Sequence, residues 1–186
     1  SNSYVNKFMT RFIATWFYSG LLRPAPGTWG SLASLPFIYL TLIWSWGIWH
    51  LIITSLFIFL LGWWATHYET KDKDEHDPSE IVIDEVLGQL ITFSPIYFMI
   101  SYNDTSISYL SYTMNFNVFD INHSVGLITI FLVAFGLFRL FDILKPWPIS
   151  WADNKSTPIG VMLDDVFAGI ISAVILSGFL IIGYFL

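Results

Sequence analysis

The chain of 186 residues is 55% hydrophobic and only 12% charged, with 9 Trp and 17 Phe and a positive mean hydropathy; this excludes an ordinary soluble domain and reads as one membrane-embedded domain over residues 1–186. It has no Cys, so disulfides, thiolate nucleophiles and Cys-ligated zinc are excluded together. Its net charge of −6, with no basic run and no interleaved basic and aromatic patch, excludes a surface that tracks nucleic acid.

Ser1-Asn2-Ser3, without a starting Met, reads as a remnant of expression, and residues 4–18 lack the long apolar stretch and small-residue cleavage site of a signal peptide. Lys7 and Arg11 among Phe8, Met9, Phe12, Ile13, Trp16 and Phe17 predict an amphipathic helix lying in the headgroup zone, an ordinary packed helix being the alternative. Pro24-Ala25-Pro26-Gly27-Thr28-Trp29-Gly30-Ser31-Leu32 is a Gly-rich turn running into an apolar segment. Backbone N–H groups there, helped by the Thr28 and Ser31 hydroxyls, suit a phosphate, although turn and capping chemistry explains the same residues without a ligand.

Apolar runs over 32–44, 48–66, 81–100, 125–140 and 166–186 predict five membrane crossings, and hence an all-α polytopic bundle. Pro36 leaves the first run short, so that span is tilted, begins earlier near Thr28 or forms a hairpin with the second. All eight Lys and Arg residues fall on one side of this topology: Lys7, Arg11, Arg23, Lys71, Lys73, Arg139, Lys145 and Lys155. Segments 45–47 and 101–124 and the C-terminus carry none, which places the N-terminus in the cytoplasm and the C-terminus outside. His50, His67, His123 and the span-end tryptophans read as interfacial residues.

Within that topology, Ile81-Val82-Ile83-Asp84-Glu85-Val86-Leu87-Gly88 and Val161-Met162-Leu163-Asp164-Asp165-Val166-Phe167-Ala168 set adjacent carboxylates at the mouths of apolar spans. Isolated ionised carboxylates are costly there, so the four need water, protons or a shared cation, of which a divalent metal is the economical answer. Gly88 lies one turn from Asp84 and Gly169 one turn from Asp165, permitting close helix approach beneath the acids. Phe138-Arg139-Leu140-Phe141-Asp142-Ile143-Leu144-Lys145-Pro146-Trp147-Pro148 arrives at the same level. There Arg139 offers a planar fork for phosphate oxygens, Lys145 a point charge, and Asp142 a partner for Arg139 or for a metal; the alternative is a plain Arg139–Asp142 pair with Lys145 snorkelling to the interface.

These motifs, in this order, resemble the phosphatidylglycerophosphatase A family from Pro26 to about Ala173: Pro-Gly-Thr-Trp-Gly-Ser-Leu (26–32), His-Asp-Pro-Ser-Glu-Ile-Val-Ile-Asp-Glu (76–85) with Gly88, Phe-Arg-Leu-Phe-Asp-Ile-Leu-Lys-Pro-Trp-Pro-Ile (138–149) and Gly-Val-Met-Leu-Asp-Asp-Val-Phe-Ala-Gly (160–169). The resemblance implies a magnesium-dependent phosphatase of phospholipid biosynthesis at the bacterial inner membrane, releasing phosphate from phosphatidylglycerophosphate. On that reading Asp84, Glu85, Asp164 and Asp165 hold Mg²⁺, Arg139 and Lys145 bind the phosphate with Thr28 and Ser31, and Asp142 supports the chemistry. Asp77 or His76 would protonate the leaving group. An aspartyl-phosphate route stays open beside direct attack by water. The expected partners are the anionic phospholipid and the bilayer, with no nucleic acid and no protein partner evident. The chain departs from the family where Thr157-Pro158-Ile159-Gly160 replaces a usual Gly-Gly pair, which stiffens that loop. Two other readings stand beside this one: a phosphatase of a different lipid phosphate, and a cation pathway built from the acidic helix mouths.

Overall fold

The structure is a computed structural model that describes residues 2–72, 74, 78–102 and 121–185, with side chains described for 7–72, 74, 78–102 and 128–181. Among the described residues every regular element is helical: α1 (Asn2–Ala14), a short 3₁₀ turn (Ser19–Leu21), α2 (Pro26–Ile43), α3 (Ile48–Thr70), α4 (Ile83–Thr92), α5 (Ser94–Tyr102), α6 (Ile121–Leu144), α7 (Ile149–Asp153) and α8 (Pro158–Phe185). The expected all-α class holds.

The expected spans are revised in three places. α2 starts at Pro26, because a proline at the first helical position loses no intrahelical hydrogen bond there and arrives with a helical φ. The third run is two helices rather than one: α4 and α5 meet at Phe93 with a 45° bend. Pro95 is the physical reason, since it offers no N–H to the carbonyl one turn earlier and clashes with a continuing helix. α8 begins at Pro158, two turns ahead of Val166, so Asp164 and Asp165 lie inside the helix rather than before it. Among the described residues α3 and the Pro158–Ile181 part of α8 are each long and apolar enough to cross a membrane, and the bent α4–α5 pair makes three. The count of five also drew on the runs that form α2, interrupted by Pro36, and α6, of which the first side chains lie outside the described set. The 101–124 loop falls almost wholly outside the described residues.

α4 is the central element: every residue from Ile83 to Thr92 except Ile91 is buried. Its principal partner is α8, and two glycines set their separation. A β-carbon at Gly169 would lie 2.5 Å from the Gly88 carbonyl oxygen, and one at Gly88 would lie 2.7 Å from the Asp165 carbonyl oxygen and against the Phe138 ring. Only hydrogen fits at both positions, so the backbones touch directly beneath the acidic pairs, as the spacing predicts.

α1 packs on α3, with Thr10 donating to Glu69 at 2.7 Å, while Phe8, Met9 and Phe17 stay exposed. Packing and an exposed apolar edge therefore coexist on the segment expected at the headgroups. Trp16, Phe17 and Tyr18 all have positive φ (44, 55 and 66°), which turns the chain sharply out of α1. The Val82 N–H then donates to the Ala14 carbonyl at 2.9 Å, tying this turn to the start of α4.

Replacing Gly169 with Val is expected to force α4 and α8 apart and to destabilise the bundle by about 1–3 kcal/mol, the usual cost of overpacking. Thermal unfolding in detergent followed by circular dichroism would register this as a lowered midpoint, and an unchanged midpoint would contradict the close contact.

Candidate active site

The first turn of α4 carries Asp84 and Glu85, where the helix N-terminus favours negative charge. Asp84 Oδ1 accepts the Glu85 N–H at 2.9 Å. Glu85 Oε2 then receives two donors from other helices: Ser31 Oγ of α2 at 2.6 Å and Arg139 Nη1 of α6 at 2.7 Å. Room for this carboxylate comes from Gly27, where a β-carbon would overlap Glu85 Oε1 and lie 3.2 Å from Arg139 Nη1. α8 repeats the α4 arrangement, with Asp164 Oδ1 accepting the Asp165 N–H at 2.9 Å.

At the end of α6, Arg139 Nη1 also donates to Asp142 Oδ2 at 2.5 Å, one turn along the same face. One guanidinium nitrogen thus serves two carboxylates, and the Arg139 Nε is buried with no hydrogen-bond partner among the described residues. Lys145 follows the helix in a left-handed conformation, φ 45°, and its N–H still reaches the Phe141 carbonyl at 2.9 Å. That turn directs its ammonium back to Asp164 Oδ2, at 2.9 Å, and to Asp153 of α7. Partial burial pulls the Lys145 pKa down, but hydrogen bonds and charge from Asp153 and Asp164 outweigh it and hold the pKa above the ordinary lysine value. The ammonium is therefore charged throughout the physiological pH range.

These groups surround one cavity of about 210 Å³, lined by Asp84, Glu85, Asp142, Asp164, Asp165, Arg139 and Lys145 together with Pro26, Gly27, Ser79 and Ile81. The four carboxylates of the paired motifs are nearly sealed, with residue exposures of 7, 9, 4 and 2% for Asp84, Glu85, Asp164 and Asp165. Five carboxylates against two cations leave a formal excess of three negative charges in the lining. An all-oxygen donor set with that excess fits a hard divalent cation in kind. Among the described residues, however, no three carboxylates converge as a finished ligand cage; several of their oxygens are turned instead to Arg139, Lys145, Ser31 and neighbouring N–H groups.

The structure thus brings together Asp84, Glu85, Asp142, Asp164, Asp165, Arg139 and Lys145, as expected from the sequence. Two expected phosphate ligands fall differently. Ser31 is fully buried and spends its hydroxyl on Glu85, and Thr28 is not among the residues that line the cavity, although Pro26 and Gly27 are. Asp77 and His76 lie outside the described residues. Sequence reasoning missed Gly27 as the space for Glu85 and Asp153 as the second anchor of Lys145. Gly27 stood inside a noted motif, and its role needed only the question of which side chain a missing Cβ admits; nothing local marked Asp153.

A model of the family described as Phosphatidylglycerophosphatase A matches residues 12–180. The chain is 37% identical over 166 residues to a protein of Haemophilus influenzae named Phosphatidylglycerophosphatase A, covering 88% of this chain and 83% of that one. It is 34% identical over 165 residues to the protein of the same name from Escherichia coli, covering 88% and 79%. A protein of Bacteroides thetaiotaomicron provisionally named phosphatidylinositol-3-phosphatase is 31% identical over 173 residues, covering 91% and 92%. No solved structure matches the chain.

The charge network can be tested through stability. Arg139→Met leaves Glu85 and Asp142 enclosed without their shared cation and is expected to cost about 3 kcal/mol or more. Adding Glu85→Gln to that variant should restore part of the loss, because the double variant no longer confines an uncompensated charge. Thermal unfolding of the two variants side by side measures the coupling; equal midpoints would mean that the pair is not energetically joined.

Proposed function

The chain belongs to the phosphatidylglycerophosphatase A family and is a phosphoric monoester hydrolase, and from that premise we propose that it hydrolyses the terminal phosphomonoester of phosphatidylglycerophosphate, giving phosphatidylglycerol and inorganic phosphate with magnesium as cofactor. The observation that carries this reading is a shared cavity in which Arg139 and Lys145 face five carboxylates at one end of an apolar helical bundle. A bundle of this kind presents a polar site to a headgroup while the acyl chains stay in lipid.

Asp84, Glu85, Asp164 and Asp165 would hold the metal. When bound, magnesium supplies positive charge to the phosphoryl oxygens. Arg139 and Lys145 bind the phosphate and balance the charge that builds on its equatorial oxygens, the dominant requirement in phosphoryl transfer. Asp142 and Glu85 fix the guanidinium plane, and Asp153 and Asp164 fix the ammonium. Water attacks phosphorus in line with the glycerol oxygen; a cavity carboxylate accepts the proton that the water gives up, and that proton is returned by way of solvent to the departing oxygen, which becomes the hydroxyl of phosphatidylglycerol. The basic residues gathered at this end support a cytoplasmic site in the bacterial inner membrane, with the C-terminus outside. A second reading, a phosphatase of another lipid phosphate, is favoured by the relative whose name carries phosphatidylinositol 3-phosphate.

Phosphate release by the purified protein in detergent tests the reading. Release from phosphatidylglycerophosphate is expected with magnesium, near-background rates with a chelator, and a loss of at least about a hundredfold for Asp165→Asn. Phosphatidylinositol 3-phosphate as the better substrate would transfer the assignment to the second reading, and no release from either lipid would end it. Gly27→Ala displaces Glu85 and with it Arg139, so phosphate release is expected to fall about a hundredfold, the scale set by a misplacement of about 1 Å at a reacting centre. Full activity in that variant would show that Glu85 has another place to go.

A further inference from the structure

The acidic cavity has a basic lip that the chemistry above does not use. Arg11 of α1 and Arg23, which leads into the turn before α2, converge on Glu80: Arg11 Nη2 lies 3.5 Å from one carboxylate oxygen and Arg23 Nη2 3.9 Å from the other. Arg23 Nη1 also lies 3.5 Å from Ser79 Oγ. Ser79 lines the cavity, as do Pro26 and Gly27, which follow Arg23 closely in the chain. The two arginines therefore stand at the rim, on the side of the cavity bounded by the Ser79 loop.

Two of these contacts are at the long limit of hydrogen bonding and the third, at 3.9 Å, lies beyond it, and the guanidinium side chains are 42% and 63% exposed. Ion pairs of that exposure and length add little to stability. Glu80 neutralises one of the two charges, so the lip keeps a formal positive charge beside a lining with an excess of negative ones, and each guanidinium carries five N–H donors of which these contacts use few. Leu21 and Leu22, directly before Arg23, are exposed, as are Phe8 and Phe17. The arginines thus mark the line where an apolar outer surface meets the polar cavity. A lipid headgroup entering from that surface passes the lip before its terminal phosphate reaches Arg139 and Lys145.

We propose that Arg11 and Arg23 form a second anion subsite, one that receives the phosphodiester of the substrate headgroup while Arg139 and Lys145 receive the phosphomonoester one glycerol away. The subsite rests on the phosphatase reading above and deepens it: the enzyme recognises a lipid by two phosphates at a fixed separation. Charge-assisted bonds from guanidinium to phosphodiester supply the affinity, and the glycerol between the phosphates supplies the spacing. The same lip could in principle gather phosphodiesters of surrounding lipids, and the test separates the two sources by removing the surrounding lipids.

The experiment measures phosphate release from phosphatidylglycerophosphate in micelles of an uncharged detergent, with inorganic phosphate as competitive inhibitor. Arg11→Gln/Arg23→Gln is expected to raise KM about tenfold, the equivalent of about 1.4 kcal/mol, while the inhibition constant of inorganic phosphate moves less than about twofold. Glu80→Gln, which frees both guanidiniums, is expected to lower KM, a direction that a loss of folding cannot produce. An unchanged KM in the double variant overturns the subsite, as does an equal rise in KM and in the phosphate inhibition constant. A KM rise that appears only in bilayers of anionic lipid assigns the lip to surrounding headgroups and overturns it too. If Glu80→Gln raises KM as the arginine changes do, the three residues act as a structural unit and the proposal falls. Wild-type protein that releases no phosphate would remove the phosphatase reading and the subsite together, whereas normal release with unaltered constants removes the subsite alone.

Discussion

The structure is organised around a shortage of positive charge. Five carboxylates meet at one end of an apolar bundle, and among the described residues Arg139 and Lys145 are the cations that line the same cavity. Two carboxylates about 4 Å apart repel by about 4 kcal/mol even at an effective dielectric constant of 20, so such a cluster needs donors wherever they can be supplied. Each cation is accordingly divided. Arg139 Nη1 serves Glu85 and Asp142, and Lys145 serves Asp153 and Asp164. Ser31 adds a donor to Glu85, and helix N–H groups add one each to Asp84 and Asp164.

That division dictates the backbone around it. Gly27 is the space Glu85 needs to reach Arg139, and Gly88 with Gly169 is the contact that carries α4 and α8 close enough for both acidic pairs to share a cavity. Lys145 turns back toward α8 only because its φ is positive, a conformation that costs about 1 kcal/mol for a residue with a β-carbon and is held by its own hydrogen bond to Phe141. Enclosed ion networks are weak sources of stability, since desolvation cancels most of their attraction. A cost met at so many positions is better understood as the preparation of a binding site than as a way of holding helices together. The residual negative charge fits the proposed function in the same way: a bound cation would complete it, and a phosphate would then meet a centre that is positive where it needs to be.

Much of this was legible in the sequence because the signals are local. Adjacent acids within apolar runs announce a charged device, the spacing of Gly88 and Gly169 from those acids announces a close helix contact, and Arg139 with Asp142 share a helical face. Boundaries were less legible. Pro95 sits within an otherwise continuous apolar run, and hydropathy alone reads through it, although its missing N–H bends α4 from α5. The start of α8 at Pro158 was hidden because the acidic pair looks like the end of a polar loop. The relations that join distant parts of the chain left no trace. Ser31 looks like a phosphate ligand in its own motif, and only the packing of α2 against α4 turns its hydroxyl to Glu85. Asp153 becomes relevant only because the left-handed Lys145 and the short α7 bring two ends of one loop together.

The position of the site along the helices decides between the two kinds of chemistry that acidic residues in a membrane can serve. A cation pathway needs its carboxylates near the middle of the bilayer, on helices broken there so that backbone carbonyls share the ion. The bend between α4 and α5 lies more than two helical turns beyond Glu85 on the side away from the cavity, and Phe93, Ile96 and Tyr97 around it are fully buried. The acids instead occupy the beginning of α4 and the first turns of α8, level with the end of α6. Two cations stand among them and two more stand at the rim beside Ser79. Positive groups in such places would repel a travelling cation, whereas each of them suits an anion that arrives from the headgroup layer and stops.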